Sequence, residues 1–353
     1  MSHRAAPATI REVAQRAQVS TATVSRVLAG IGNPKPDTAS AVMRAVEELD
    51  YRPSGVARSL RMKRTRTLGL IVTDIQNPFF PELVQAADLA ARSLDYSILL
   101  GSAAYDEMRA LHYLDLMVDR RVDGMIVASS QISESSWEWL LASPVPVVVV
   151  NAEPRDRMVT VIGSDNEGGS RMAVEHLVAL GHRRIGYLRG PQAFTAAAPR
   201  LAGFRAACAE AGLDPDAMPV IRCEGLVESG ELAAAQLLEQ APWVTAIACY
   251  NDLTAIGALR ALRAAGRRVP EDVSVIGFDD IAAASWVVPG LTTISQQKGE
   301  MGRLAVEHLA RALDGTGPAP APEVIRLEAR LLVRESTCPA RATADPTPAP
   351  TGA

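Results

Sequence analysis

TIREVAQRAQVSTATVSRVLAG, residues 9–30, encodes two short helices joined by a tight turn. Thr9 followed three residues later by Glu12 has the form of a capping box, and Ile10, Val13, Ala14 and Ala17 then fall on one helical face. Ser20 is placed to cap a second helix over residues 21–29, with Val24, Val27 and Leu28 apolar, after a turn around Gln18 and Val19. Residues 30–36 are rich in Gly and Pro and read as loop. Asp37 is then placed to cap a third helix whose Val42, Ala45, Val46 and Leu49 recur at helical spacing. Three such stripes share one small core, an all-α headpiece over residues 7–52.

In a helix-turn-helix the second helix enters the major groove and its N-terminal side chains reach base edges. That role falls here to Thr21, Ala22, Ser25 and Arg26. The planar fork of Arg26 matches the O6/N7 acceptor pair of guanine, whereas Thr21 and Ser25 suit phosphates equally well. Thr9, Ser20 and Thr23 complete the candidate DNA-contacting set. Charge supports a polyanionic partner for this module alone: residues 1–66 hold 12 Lys and Arg against 5 Asp and Glu, a net of +7, while the rest of the chain holds 24 against 35, a net of −11.

Tyr51-Arg52-Pro53 ends the third helix, and SGVARSLRM, residues 54–62, reads as a short amphipathic segment before the basic KRTR, so residues 53–66 form a candidate hinge. From Leu68 the pattern changes to apolar runs alternating with amphipathic helices. LGLIV, YSILL, GMIVA and PVVVV make one series; VTVIG, RRIGYL, WVTAIAC and VSVIGF make another, followed by LTTIS, a helix over residues 301–313 and a last strand, VIRLEARLLV. This alternation specifies a core of two doubly wound parallel-sheet lobes over residues 67–335. The first lobe is expected at about 67–160 plus 294–318 and the second at about 161–290 plus 319–335. Residues 336–353, rich in Pro, Ala and Thr, are expected to be a disordered tail.

In open α/β sheets ligands bind beyond the carboxyl ends of the strands. The residues there include Asp74 to Phe80, Ser129, Ser130, Asn151, Asp165, Phe194 to Arg200, Asn251, Asp252, Asp279 and Asp280. Acceptors, amides, an arginine and adjacent aromatics suit a polyhydroxylated small molecule held between the lobes. Asp165 and Asn166 read equally well as the cap of the helix that follows.

The headpiece text, followed by YRPSGVARSLRMKRT, resembles the headpiece and hinge of LacI/GalR-family transcriptional repressors. TDIQNPFFPELV, RVDGMIV, SDNEGG, GHRRIGYLRG, PRLAGFRAA, NDLTAIGAL, VPEDVSVIGFDD and PGLTTISQ resemble the sensor core of the same family, in its ribose/purine repressor-like branch. The resemblance spans roughly residues 9 to 335. It implies a periplasmic-binding-protein-like core, a homodimer on palindromic operator DNA, and release by a small sugar-like effector, with a purine or other corepressor as the alternative. It implies that Leu60 wedges into the minor groove beside Ala57 and Arg61, in a hinge that becomes helical on DNA. It further implies that Phe80 stacks on the effector, with Phe79 beside it reading more readily as lobe core than as a ligand contact, that Arg200 and Asp279 hydrogen-bond it, and that Asp74, Ser130, Asn151, Asp165 and Asn251 complete the pocket. Departures stand at Phe194 and Ala196, where polar contacts are common in the family, and at Gly225, where an aromatic commonly covers the ligand.

Other classes find little support. No GxGxxG follows the first strand, and neither a P-loop nor a GxSxG elbow is present, so an enzyme is not expected and no cofactor is implied. Cys208, Cys223, Cys249 and Cys338 lack CxxC spacing and read as reduced thiols. There is no HExxH, and Glu175-His176 and Glu307-His308 read as surface helix pairs, so no metal is expected. No run of about 18 uncharged apolar residues spans a membrane. The N-terminus lacks a secretory h-region, which points to the cytoplasm.

Overall fold

A computed structural model describes residues 8–28, 32, 34–51, 64–155, 158–314 and 321–341. The chain divides into two compact units, Met1–Arg66 and Thr67–Ala353. Ala57, Leu60 and Arg61 lie outside the described residues.

The first unit contains α1 (Ile10–Arg16), α2 (Thr21–Leu28) and α3 (Pro36–Glu48). Their apolar stripes meet as expected: Val13, Ala14, Val24, Val42, Ala45 and Tyr51 form the buried core. The capping box at Thr9 is complete, with its backbone N–H donating to Glu12 at 2.6 Å. These bonds from Thr9 hold the Glu12 carboxyl below its ordinary range. Ser20 Oγ accepts from the Thr23 backbone N–H at 3.1 Å and so caps α2. The third helix begins two residues earlier than expected, with Lys35 rather than Asp37 at the cap position. Pro36 occupies its first turn behind Lys35, no side chain caps it, and Asp37 instead places a negative charge against the N-terminal helix dipole.

The second unit holds two six-stranded sheets. In the first, the order is β11 (Val324–Leu327), β5 (Thr160–Ser164), β4 (Val147–Val150), β3 (Gly124–Ala128), β1 (Thr67–Val72), β2 (Ser97–Ser102), all parallel. In the second, the order is β12 (Arg330–Leu332), β10 (Thr292–Ser295), β9 (Ser274–Asp279), β8 (Ala246–Cys249), β6 (Ile185–Arg189), β7 (Val220–Arg222), parallel except for the β10–β12 pair. The first sheet is covered by α4 (Phe79–Ser93), α5 (Glu107–Asp119), α6 (Glu134–Leu141) and α11 (Lys298–Asp314). The second is covered by α7 (Asn166–Ala179), α8 (Ala197–Glu210), α9 (Val227–Gln240) and α10 (Asp252–Ala264).

The lobe limits need correction. VTVIG pairs with β4 and β11, so β5 closes the first lobe instead of opening the second. The expected single last strand is two: β11 joins the first sheet, then after Glu328-Ala329 β12 joins the second, while β10 lies wholly in the second. Strands buried on both faces have the same apolar composition in either lobe, so pattern alone does not assign them. The chain therefore crosses between lobes at Asp165, at Gln296-Gln297 and at Glu328-Ala329. Gln297 Nε2 donates to the Glu328 carbonyl at 3.0 Å and the Asp165 N–H to the Leu327 carbonyl at 3.0 Å, tying the three crossings together.

The tail also differs from expectation as far as Arg341. Ser336 is fully buried, its hydroxyl donating to the Val275 carbonyl and accepting from the Thr292 N–H. Cys338 N–H bonds Ser274 and Ala340 N–H bonds the Leu180 carbonyl. Hydroxyls and backbone groups make this contact, and composition does not register them. His182, 2 % exposed, anchors the strap: Nδ1 meets Thr245 Oγ1 at 3.0 Å, and Nε2 meets Ser274 Oγ at 3.1 Å and the Cys338 carbonyl at 3.0 Å. His308, expected on the surface, is buried, with Nε2 3.0 Å from Thr160 Oγ1.

Burial lowers the His182 pKa from its ordinary 6.5, and the Cys338 carbonyl only partly opposes that shift. A depressed histidine binds its proton first in the unfolded chain, so its stabilising contribution is full above pH 6.5 and is lost as pH falls through the folded value. The thermal midpoint is expected to drop between pH 7.5 and 5.5, by up to about 1.4 kcal/mol per pH unit from this residue. His182→Gln should reduce that slope, leaving the part due to His176 and His308, which burial also depresses; an unchanged slope would remove His182 as a contributor.

Candidate functional site

The described face of α2 carries the predicted DNA-reading residues outward. Thr21, Ala22 and Arg26 are exposed, Thr23 and Ser25 half-exposed, and only Val24 turns fully into the core. Arg26 Nε rests on the Ala22 carbonyl one turn back at 3.4 Å, leaving its terminal nitrogens free to reach beyond the helix. The hydroxyls of Ser20 and Thr23 bond each other at 2.9 Å, so both serve the cap.

In the second unit the strand ends of the two sheets face each other, and Arg200 and Asp279 form the centre. Arg200, 3 % exposed on the first turn of α8, donates from Nε to Asn166 Oδ1 at 3.0 Å, from one terminal nitrogen to the Tyr250 carbonyl at 2.6 Å, and from the other to Asp279 Oδ1 at 3.4 Å. Its guanidinium carbon lies 3.7 Å from the Phe278 ring centroid and 4.8 Å from that of Tyr250. Its place over both rings desolvates the cation while keeping it attracted to them. Asp279 Oδ1 also accepts from Gln296 Nε2 at 2.5 Å. Burial raises the Asp279 pKa, opposed by Arg200, Lys298 and Gln296.

Aromatic rings extend this centre across the cleft. Phe194, after β6, tilts against Tyr250 with centroids 6.3 Å apart, and stacks on Tyr105, after β2, at 5.7 Å with planes 8° apart. Tyr105, Phe194, Tyr250, Arg200 and Phe278 thus form one column running from the first lobe into the second. The Tyr105 hydroxyl is pushed up in pKa chiefly by burial, an effect offset by a hydrogen bond with Asn77. Beside the column, the Thr195 N–H donates to the Ser130 carbonyl at 2.9 Å, and Asn166 Nδ2 donates to Glu153 at 3.1 Å. Both bonds join one lobe to the other.

The remaining predicted residues divide by role. Ser130 Oγ accepts from Asn151 Nδ2 at 3.2 Å, which places both at the mouth of the first sheet. Asp74 is half-buried and bonds the Gln76 N–H, shaping the turn into α4. Asp165 caps α7 by accepting from the Gly168 N–H, so the capping reading describes its side chain. Asn251 is also a cap: Oδ1 accepts from the Thr254 N–H at 2.9 Å, and Nδ2 donates to the Gly225 carbonyl at 2.9 Å. Phe79 lies in the lobe core, its favoured reading, whereas the stacking role expected of Phe80 requires a correction. Both lie in the first-lobe core with Leu83 and Ala87, Phe80 at 0 % exposure, because the Asn77-Pro78 turn starts α4 with both rings facing the sheet. Phe80 is fully buried, and Tyr105 and Phe194 are the rings that meet beside Arg200.

Tyr105, Tyr250, Phe278, Gln296 and Lys298 were not legible as site residues. Tyr250 and Phe278 stand next to predicted Asn251 and Asp279, so a wider window past each strand end finds them. Gln296 and Lys298 belong to a lobe crossing whose position only the strand pairing reveals.

Asn251→Ala removes a helix cap and is expected to cost about 1–2 kcal/mol in urea unfolding. Undiminished stability would show that the amide is not held by its capping bonds.

Residues 9–54 match the family described as bacterial regulatory proteins, lacI family, and residues 174–337 match a periplasmic binding protein-like domain. The chain is 38 % identical over 303 residues to the HTH-type transcriptional repressor PurR of Haemophilus influenzae (strain PittEE), covering 86 % of this chain and 90 % of that protein. It is 33 % identical over 331 residues to the ribose operon repressor of Halalkalibacterium halodurans, covering 93 % and 97 %. The Lac repressor dimer bound to operator and the anti-inducer ONPF superposes with a TM-score of 0.86 at 28 % identity, covering 94 % and 100 %. With the helix-turn-helix core, the two facing sheets and relatives matched over nearly their whole length, the chain belongs to the lacI family of DNA-binding transcriptional repressors.

Proposed function

We propose that this chain represses transcription as a homodimer on a palindromic operator, and that a neutral, polyhydroxylated effector bound at Arg200 and Asp279 releases it. The buried Arg200–Asp279 pair carries the effector reading. The pair is neutral as a unit, and Lys298, the other cation beside it, is taken up by Glu82 and two backbone carbonyls. An anionic effector meets the Asp279 carboxylate without a free cation among these groups. A hydroxyl group, by contrast, both donates and accepts, so it bridges a carboxylate oxygen and a guanidinium N–H. Gln296 Oε1, buried and without a donor, adds an acceptor at the same point. The Tyr105–Phe194 pair offers a flat apolar face for the C–H side of a sugar ring. This favours a sugar over a purine corepressor. Of the predicted pocket residues, Ser130 and Asn151 flank the ligand, while Asp74, Asp165 and Asn251 shape the loops around it.

On the DNA side, Arg26 with Thr21, Ala22 and Ser25 reads base edges, and Thr9, Ser20 and Thr23 lie against the backbone. The segment carrying Ala57, Leu60 and Arg61 enters the minor groove. The dimer follows from the relatedness to the Lac repressor dimer. The exposed Trp286 and Val288 on the second lobe supply apolar surface for a second copy to cover. The repressor works in the cytoplasm, without catalysis.

Selection of bound fragments from genomic DNA should recover a palindrome. Its affinity should fall by about 0.9 log units per log unit of salt for each phosphate neutralised. Arg26→Ala is expected to cost about 1–3 kcal/mol and to relax specificity at one base pair per half-site. Arg200→Ala should leave operator affinity near its original value and abolish its response to effector; loss of operator binding instead would overturn this division of labour.

A further inference from the structure

Lys298 opens α11, a first-lobe helix whose Met301, Ala305, Val306 and Leu309 pack with Leu83 and Ala87 of α4. A Cβ on Gly302 would collide with the Leu83 carbonyl, so α4 and α11 touch backbone to backbone and move as one body. Yet the Lys298 ammonium, 2 % exposed, lies in the second lobe's loop. It donates to the Asp279 carbonyl at 2.6 Å and the Asp280 carbonyl at 2.7 Å, and pairs with Glu82 of α4 at 3.2 Å. An ammonium has three N–H donors, and these three acceptors use them all.

The two carbonyls belong to strained backbone. Asp279 and Asp280 are consecutive non-glycine residues with positive φ, +116° and +54°. Such backbone persists only where its surroundings over-determine it. Here the surroundings are Lys298 on the carbonyls, Asp252 accepting from the Ile281 N–H at 2.9 Å, and Arg334 on the Asp280 carboxylate at 2.7 Å. Asp252 and Arg334 come from the second lobe. Lys298 alone of the three comes from the first-lobe body. Its geometry gives one ammonium a grip on the backbone of the effector-contacting aspartate and on a helix of the other lobe.

We propose that Lys298 is a positioning residue that couples the Asp279-Asp280 turn of the second lobe to helix α4 of the first through Glu82. The coupling rests on the reading of Asp279 as an effector contact for its regulatory meaning, but the mechanical link exists without ligand. A ligand that shifts Asp279 pulls the ammonium and, through Glu82 and the α4–α11 contact, the first lobe.

The test needs no effector and uses the full-length protein. Glu82 is half-exposed, so Glu82→Gln removes the first-lobe partner without opening a cavity. Amide hydrogen exchange is followed in the peptide containing Asp279, Asp280 and Ile281, on the opposite lobe. About five-fold faster exchange at these amides is expected, the upper range for losing one ion pair with an exposed partner. Asp88→Asn, which breaks the Arg92 pair on the same helix, serves as control and should leave the peptide unchanged. Lys298→Met, which keeps the stem and removes all three bonds, should exceed Glu82→Gln at the same amides. Unchanged exchange in Glu82→Gln, or an equal change in Asp88→Asn, would overturn the proposal. Because no ligand is used, failure of the sugar reading leaves this result standing.

Discussion

A guanidinium buried in the middle of a protein must have its charge met, and Arg200 organises the sensor core around that requirement. Removing one partner of a buried ion pair typically costs about 3–5 kcal/mol, because the remaining charge is left without water. Arg200 meets the requirement with acceptors from three separate places: Asn166 at the start of α7, the Tyr250 carbonyl after β8 and Asp279 at the end of β9. Two aromatic faces complete its shell. Two strand ends and two helix starts of the second lobe are thereby fixed to one point.

The lobes meet at that point through few contacts, and each is of a different kind. A ring stack joins Tyr105 to Phe194, backbone joins Ser130 to Thr195, an amide joins Asn166 to Glu153, and an ammonium joins Lys298 to the Asp279-Asp280 turn. Each lobe keeps its own extensive core. The three chain crossings are tied to one another by Gln297 to Glu328 and Asp165 to Leu327.

Much of this was legible in the sequence where a local rule decides the structure. The capping box at Thr9, the apolar stripes of the three headpiece helices and the alternating runs of the core each follow from spacing within a few residues. The Arg200–Asp279 pair was legible only through resemblance, since 79 positions separate the partners. What pattern did not show depends on long-range pairing. VTVIG reads alike in either lobe, VIRLEARLLV conceals a change of sheet, and residues 336–341 pack through hydroxyls that composition counts as polar tail. Phe80 differs from expectation because an aromatic ring after a strand suits a pocket and a core equally, and the Asn77-Pro78 turn decides between them. Val220–Arg222 and the helices α6 and α9 passed unnoticed, the strand because three residues carry no period.

The account stands on a neutral, hydroxyl-rich ligand recognised by the Arg200–Asp279 pair. The most direct measurement is thermal unfolding of the full-length protein against pentoses, hexoses, disaccharides and polyols, with sugar phosphates and purines in parallel. At a hundred times its dissociation constant a ligand adds about 2.7 kcal/mol, enough to raise the midpoint visibly. The account predicts a rise with one or more neutral sugars, absent in Arg200→Ala, and none with the phosphorylated forms. A rise confined to purines or sugar phosphates, or one that survives in Arg200→Ala, would contradict it.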